Sequence, residues 1–459
     1  MERAFERYFE RLRGKRIGVL GLGVSNRPLV RLLLSFGCQV IGCDRTEREN
    51  AEEEVLALEQ MGAQLHLGAD YLKDVNADLV FRTPGMHPNH PALEQLRRRG
   101  AEITSEMEVF FELCPCKIIA ITGSDGKTTT TTLVSELLKA QGYTVWLGGN
   151  IGRPLLSDIP RMTQEDYAVV ELSSFQLMDM RRSAPRAVVT NLAPNHLDVH
   201  KDMDEYIAAK TNVFRYQGSD GLLIVNADND ITAPMQGNGQ TRYFSRKKPV
   251  ENGVFCADGV IYRVKNGEKQ PIMASDEILL PGVHNIENYM AAIAVTDGIV
   301  GDEVIRKVAA SFGGVPHRIE LVREKEGVRY YNDSIASSPS RTISGLRSFP
   351  QKVILIAGGY DKHIPYDVLG PEICAHVKHL ILTGDTAEKI RCAVVDCPEY
   401  REGHPELELV EDLAQAVHRA ACAAQQGDVV LLSPASASFD RFKNFEVRGN
   451  YFKQLVMEL

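Results

Sequence analysis

The stretch KIIAITGSDGKTTTT, Lys117 to Thr131, decides how the rest of the chain is read. An apolar run of strand length enters a turn with two glycines, and five consecutive threonines, Thr128 to Thr132, lead into LVSELLKAQG, which has helical spacing. A strand that leaves a glycine-rich turn as a helix exposes unpaired N–H groups at the helix N-terminus, where the dipole also favours an anion. Gly123 and Gly126 permit close backbone approach, Lys127 can reach terminal phosphates as a mobile cation, and the Thr128 hydroxyl is suited to Mg²⁺. With Ser124, Asp125 and Thr129 they form the predicted triphosphate site. The bland alternative is an ordinary strand-to-helix turn, since G-x-x-G-K-[ST] arises by chance in roughly a few chains per hundred. The generic loop carries glycine where this chain has Ile121, so the pattern is the narrower T-G-x-x-G-K-T-T.

Outward from the loop, strand and helix periods alternate, which predicts parallel α/β sheets. Upstream, RIGVLGLG, a helix from about Arg27 to Phe36, and QVIGCD open a first unit that ends near DLVFRTPG. The central cycle continues through YTVWLGG, YAVVELSS, AVVTNL and GLLIVNAD to a helix from about Asn285 to Ile299. KVILIAGG, HLILTG and GDVVLLSP mark a third unit. The expectation is three α/β domains, 1–106, 107–314 and 315–459.

The chain has 459 residues, 44% of them hydrophobic, and a net charge of -9. The acidic balance argues against a nucleic-acid binder, which needs a basic face. No run approaches the ~18 apolar residues of a membrane span, and MERAFERYFERLRGKR reads as a charged amphipathic helix rather than a signal peptide. A cytosolic protein is expected, and its nine cysteines are read as reduced core thiols, because their spacings fit neither a zinc ribbon nor C-x-x-C.

Further blocks follow the loop in order: GGNIG from Gly148, ELSSFQL from Glu171, NHLDVH from Asn195, AAK ending at Lys210 and GVHNIENYMAA from Gly282. GVPHRIE from Gly314, NDS from Asn332, GGYDKH from Gly358 and SPASASFDRFKNFEVRGNYF from Ser433 complete the series. With the loop, they resemble the Mur ligase family, ATP-dependent enzymes that join an amino acid to a carboxylate through an acyl phosphate. The resemblance spans essentially the whole chain. It implies a Rossmann-like first domain, a central P-loop ATPase-type mononucleotide-binding domain and a Rossmann-like last domain. The first domain and the last block most resemble the branch that adds D-glutamate to UDP-N-acetylmuramoyl-L-alanine in peptidoglycan precursor synthesis. A monomer with no nucleic-acid or membrane partner is expected.

The resemblance gives roles to residues that composition would leave bland. Glu171 ends a strand, at the sheet edge where open α/β folds bind ligands, and is otherwise a surface carboxylate. The resemblance makes it a Mg²⁺ ligand beside Thr128, and makes His196 a ligand of a second Mg²⁺ and a substrate contact. Asp198 and His200 are read as loop-shaping groups. Lys210, by itself a solvated helix lysine, aligns with the lysine that becomes a carbamate in these ligases. A carbamate supplies oxygen to a hard cation that an ammonium repels. Lys127, Glu171, His196 and Lys210 are the implied catalytic set. Asn150, otherwise a turn asparagine, would donate to phosphate or substrate oxygens.

Asn285 and Asn288 are assigned by resemblance to the adenine side, and Arg318 and Asp333 to the nucleotide's phosphate and ribose, where local pattern alone suggests caps and solvated charges. Because those groups come from two domains, ATP is expected to help close a cleft. GLGVSN departs from the dinucleotide fingerprint at Asn26, although Asp44 has the expected spacing. The resemblance puts Gly23, Val24 and Ser25 by the uridine diphosphate, Asp44 and Arg45 by uracil and ribose, and Gly85 as the cap. Ser337, Lys362, Ser438 and Phe445 resemble the D-glutamate pocket. Ile335 departs from it, since many sequences of this branch carry lysine there; Lys362 or Arg341 is expected to supply the charge. Three rivals are another amide ligase of this fold, a non-enzymatic nucleotide switch and a dehydrogenase. The D-N-P-R signature of the meso-diaminopimelate-adding ligase is absent, and the last two leave blocks of the sequence unexplained.

Overall fold

The computed structural model describes residues 2–196, 199–362 and 364–459. Its contacts define two compact units, Met1–Asp276 with Ile286–Val308, and Glu277–Asn285 with Ala309–Leu459.

The first unit holds two sheets. Five parallel strands, β1 (Arg16–Leu20), β2 (Gln39–Asp44), β3 (Gln64–Leu67), β4 (Leu79–Arg82) and β5 (Glu102–Thr104), lie in the order β3-β2-β1-β4-β5. Strand order reverses between β1 and β4, so the turns after those two strands flank the crevice where such sheets bind ligands. Nine strands form the second sheet: β6 (Lys117–Thr122), β7 (Val145–Gly149), β8 (Tyr167–Glu171), β9 (Arg186–Val189), β10 (Leu222–Asn226), β11 (Gln240–Ser245), β12 (Gly253–Ala257), β13 (Val260–Lys265) and β14 (Glu268–Ala274). Their order is β14-β13-β12-β11-β10-β9-β6-β8-β7, parallel except for the β12–β14 meander. β6, β8 and β10 are apolar almost throughout because helices cover both faces of a parallel sheet. The helix Glu2–Glu10 is amphipathic as its pattern predicts, and it inserts Phe5 and Phe9 into a core that also contains Phe110, Leu156 and Val170.

The second unit contains β15 (Glu320–Lys325), β16 (Val328–Asn332), β17 (Val353–Ala357), β18 (Val377–Leu382), β19 (Glu406–Leu409) and β20 (Val429–Leu432), ordered β15-β16-β20-β17-β18-β19. Only β15 runs antiparallel to its neighbour. The mixed α/β class read from the sequence is the class observed. All nine cysteines are unpaired, but Cys392 and Cys422 are exposed, which corrects the reading of every thiol as core. Both lie on solvent faces of helices whose inner faces carry Ile390, Val394, Val417 and Ala420. Among the described residues no helix is long and apolar enough to cross a membrane.

Candidate active site

β6 delivers the chain into the glycine turn, and the Thr122 hydroxyl anchors it by donating to the Leu172 carbonyl at 2.7 Å. Gly123 sits at φ +147°, where a Cβ would collide with Thr190 Oγ1; Gly126, at φ +75°, caps the helix Lys127–Ala140, and a Cβ there would collide with Asn288 Oδ1. Side chains at either position would break the turn. The end of β9 straps the loop: the N–H groups of Ser124 and Asp125 donate to Asn191 O and Asn191 Oδ1, both at 2.9 Å, and Thr190 Oγ1 donates to Asp125 O at 2.6 Å. Phosphate donors therefore come from the first turn of the helix. The Ser124 hydroxyl is buried between Tyr206 Oη (2.9 Å) and Ala193 O (3.0 Å), so it shapes the loop from inside. Lys127 Nζ folds back onto Ser124 O at 2.8 Å. Thr131 and Thr132 donate to the carbonyls of Lys127 and Thr128, each at 2.8 Å, and Thr130 donates to Asn288 at 3.3 Å. Thr129 is also buried, which leaves the half-buried Thr128 as the hydroxyl on the helix's first turn.

Two ionisable groups lie beneath the loop. Glu171 is 1% exposed; its Oε1 accepts from Asn150 Nδ2 at 2.7 Å, while its Oε2 is buried with no hydrogen-bond partner. One N–H of the Asn150 amide is thus taken by Glu171, and the Asn150 backbone N–H also donates to Glu171 O at 2.8 Å. An orphaned buried carboxylate oxygen is costly unless a cation meets it, and a hard divalent ion fits that requirement. Among the described residues no group of three or more His, Cys, Asp or Glu forms a metal-binding cluster, so phosphate oxygens, hydroxyls and water would supply most of such an ion's ligands. Lys210 is buried, and Nζ donates to Gly123 O at 2.8 Å and Thr122 Oγ1 at 3.3 Å and lies 4.9 Å from the Tyr206 ring centre. Burial first, and then the charge of Lys127, push its ionisation well below the usual lysine range. At the loop's floor this favours the neutral amine over the ammonium.

His196 is exposed, at φ +56°, with its ring edge-on to Phe175 at 5.0 Å. His200 is buried, stacks on the same Phe175 at 5.5 Å and pairs through Nε2 with Ser174 Oγ at 2.9 Å. Burial lowers its pKa, with Glu205 opposing. Asp198 lies outside the described residues.

After β1, the Leu22 N–H donates to Asp44 Oδ2 at 2.7 Å and the Thr46 N–H to Asp44 Oδ1 at 2.9 Å. Burial pushes the Asp44 carboxyl up, but these donors outweigh it and hold it below the ordinary range. Asn26, the departure from the fingerprint, is buried and donates to Gly21 O (2.8 Å) and Leu20 O (3.3 Å), fastening the turn that leaves Gly23, Val24 and Ser25 exposed. Arg45 is exposed, and Gly85 lies in the turn after β4.

In the second unit, adjacency of β16, β20 and β17 gathers three loops that are distant in sequence. Asp333 follows β16, fully buried; it accepts from Ser433 Oγ at 2.7 Å and Ile319 N at 3.3 Å, and burial raises it to about 7 against the pull of Ser433 and Arg318. Lys362 Nζ stands 3.4 Å from both Ser337 O and Ser337 Oγ, and Arg341 Nη1 donates to Ile335 O at 3.1 Å. Ser438 is buried, and Phe445 stands edge-on to His317 at 6.0 Å. Asn285 donates to Pro281 O at 2.6 Å. Sequence reasoning missed Arg448, which is buried and donates to Ser334 Oγ, Ser334 O, Ala437 O and Ser436 O at 2.8–3.1 Å, tying these loops together. It also missed Asn191 and Arg82, the latter a lone arginine ending the buried strand LVFR.

These loops and sheet edges define a nucleotide-binding α/β protein. The Mur ligase middle-domain model matches residues 121–296, and the Mur ligase glutamate-ligase domain model matches residues 317–436. A UDP-N-acetylmuramoylalanine–D-glutamate ligase of Acetivibrio thermocellus is 51% identical across 97% of both chains, and one of Ruminiclostridium cellulolyticum is 48% identical over the full length of both. Among solved structures, the UDP-N-acetylmuramate–alanine ligase of Thermotoga maritima has the same fold at 17% identity, with a TM-score of 0.56 over 97% of this chain and 99% of that one. The chain belongs to the Mur ligase family.

Proposed function

We propose that this chain is an ATP-dependent ligase that joins D-glutamate to the L-alanyl carboxylate of UDP-N-acetylmuramoyl-L-alanine, in the cytoplasm and as a monomer. The observation that carries the reading is the group under the phosphate loop: Gly126 at the helix start, Lys127 above, and Glu171 Oε2 unpartnered below. Relatives named for the same reaction, about half identical over nearly the full chain, support the choice of acceptor and amino acid. Regions 1–106, 107–314 and 315–459 are proposed to hold the uridine nucleotide, ATP and D-glutamate.

The substrate carboxylate attacks the γ-phosphate of ATP, giving an acyl phosphate and ADP. D-Glutamate's amine then attacks the activated carbonyl and phosphate departs as the amide forms. Lys127 offsets the charge of the approaching anions. Mg²⁺, held by Thr128, Glu171, His196 and a carbamylated Lys210, would neutralise phosphate charge. A neutral Lys210 amine is the form that reacts with CO₂, in keeping with its depressed pKa. Asn288 braces the loop at Gly126, while Asn285, Arg318 and Asp333 are proposed to hold adenine, phosphate and ribose. Gly23, Val24, Ser25, Asp44, Arg45, Gly85 and Asn150 serve the uridine substrate. Ser337, Lys362, Ser438 and Phe445 line the amino-acid pocket, with Arg341, bonded to the Ile335 carbonyl, as a second cation.

Phosphate release measured with ATP, UDP-N-acetylmuramoyl-L-alanine and a panel of amino acids tests this. D-Glutamate should be the productive partner, and no release with any amino acid removes the proposal. In the same assay Arg341→Ala or Lys362→Ala should raise the D-glutamate KM; if neither does, the cation assignment fails.

A further inference from the structure

Arg82 is among the largest fully buried side chains of the described residues, and its guanidinium is saturated. Nε donates to Asp179 Oδ2 at 3.1 Å, Nη2 to Asp179 Oδ1 and to Phe175 O at 3.3 Å, and Nη1 to Met86 O at 2.6 Å and Thr83 O at 3.1 Å. One planar fork thus joins the turn after β4 to the segment after β8, some 97 residues away in sequence. Burying an ion pair rarely improves stability over an apolar side chain of the same volume, so the distinctive product of this arrangement is geometry.

That geometry reaches both ends of the uridine substrate's proposed path. Nη1 closes the turn that carries Gly85, whose own bond runs from Met86 N to Thr83 O at 3.1 Å. Nη2 fixes the backbone of Phe175, whose ring meets His196 and His200. We infer that Arg82 is a positioning residue that, with Asp179, locks the Thr83–Met86 turn to the Phe175 wall, so that the uridine-binding crevice and the His196 loop keep one register for a uridine diphosphate-linked substrate. This rests on the function proposed above.

The test compares wild type, Arg82→Lys and Asp179→Asn in steady-state kinetics, with calorimetric titration of UDP and of ADP. Lysine keeps the charge and loses the fork. The expected result is a KM for UDP-N-acetylmuramoyl-L-alanine raised about tenfold, kcat lowered by about 10- to 100-fold, and UDP binding weakened, because misplacement of about an ångström has effects of this size. The KM for ATP and the affinity for ADP should stay within about twofold, a split that general loosening of the fold does not produce. Full rescue by lysine, or equal losses for ADP and UDP in both variants, overturns the inference. If wild type releases no phosphate but UDP binding still falls in the variants, the functional reading fails while the positioning role stands. UDP affinity equal in all three proteins sinks the positioning role itself.

Discussion

After β1 and after β6 the chain makes the same move, from parallel strand through a glycine turn into a helix, and the two turns end in opposite chemistry. The turn after β6 has two glycines at positive φ, a lysine at the first helical position and, beneath it, a lysine whose pKa burial depresses. The turn after β1 contains no cationic side chain between Gly21 and Asn26; its Leu22 N–H is taken by an ionised Asp44, and Asn26 hooks its carbonyls from below. Backbone N–H groups at a helix start are common to both. What differs is the cation's engagement: after β1 the Arg27 guanidinium is taken by Leu22 O, Glu52 and Glu54, whereas after β6 Lys127 itself opens the helix, folded onto Ser124 O, and suits that turn to a triphosphate.

Removing the cation should therefore affect one turn alone. Lys127→Ala is expected to lower ATP turnover by about 10²- to 10³-fold, the usual loss of a group that stabilises transferring charge, and to leave calorimetric UDP binding unchanged. A comparable loss of UDP affinity would break the comparison. The next effect is on stability. Asn26→Gly restores the dinucleotide spacing but removes the donor to Gly21 O and Leu20 O in a buried setting, and should cost about 2 kcal/mol in denaturant titration. An unchanged midpoint would mean that the asparagine is a passive replacement for glycine.

The phosphate loop was legible because its signals are local: glycine, lysine and threonine at fixed offsets between a strand and a helix. The threonine run was only half legible, since bonds from Thr131 and Thr132 to carbonyls four residues back explain residues that a ligand was not needed to explain. Asn26 was read as a departure because the carbonyls it holds become targets only once the turn is folded. Arg82 and Asp179 were invisible as a pair, and the unpartnered oxygen of Glu171 depends on burial that no spacing encodes. In the second unit, Asp333 meets Ser433, and Arg448 can reach Ser334, Ser436 and Ala437, because β16 and β20 are neighbours, an order set by the sheet and not by the chain.

The smallest effect separates the two turns by pH. The ordinary aspartate value is 3.8, and in the folded protein the donors of Thr46 and Leu22 hold Asp44 below it despite burial. Between the two values the unfolded chain binds the extra proton, so Asp44's contribution is present above pH 3.8 and is lost as pH falls through the folded value. Asp44→Asn, whose amide nitrogen cannot accept from either N–H, should cost about 1 kcal/mol at neutral pH, at the low end because solvent reaches the carboxylate. Lys210 behaves in the reverse sense: its folded value is depressed, so between that value and 10.5 the unfolded chain holds the proton and stability rises with pH. The difference between wild type and Asp44→Asn should therefore stay flat from neutrality down to the carboxylate range and shrink only below it, as read from denaturant midpoints at successive pH values. A difference that already changes around neutral pH would mean that Asp44 titrates with the lysine beneath the other turn, and the two turns would no longer be independent.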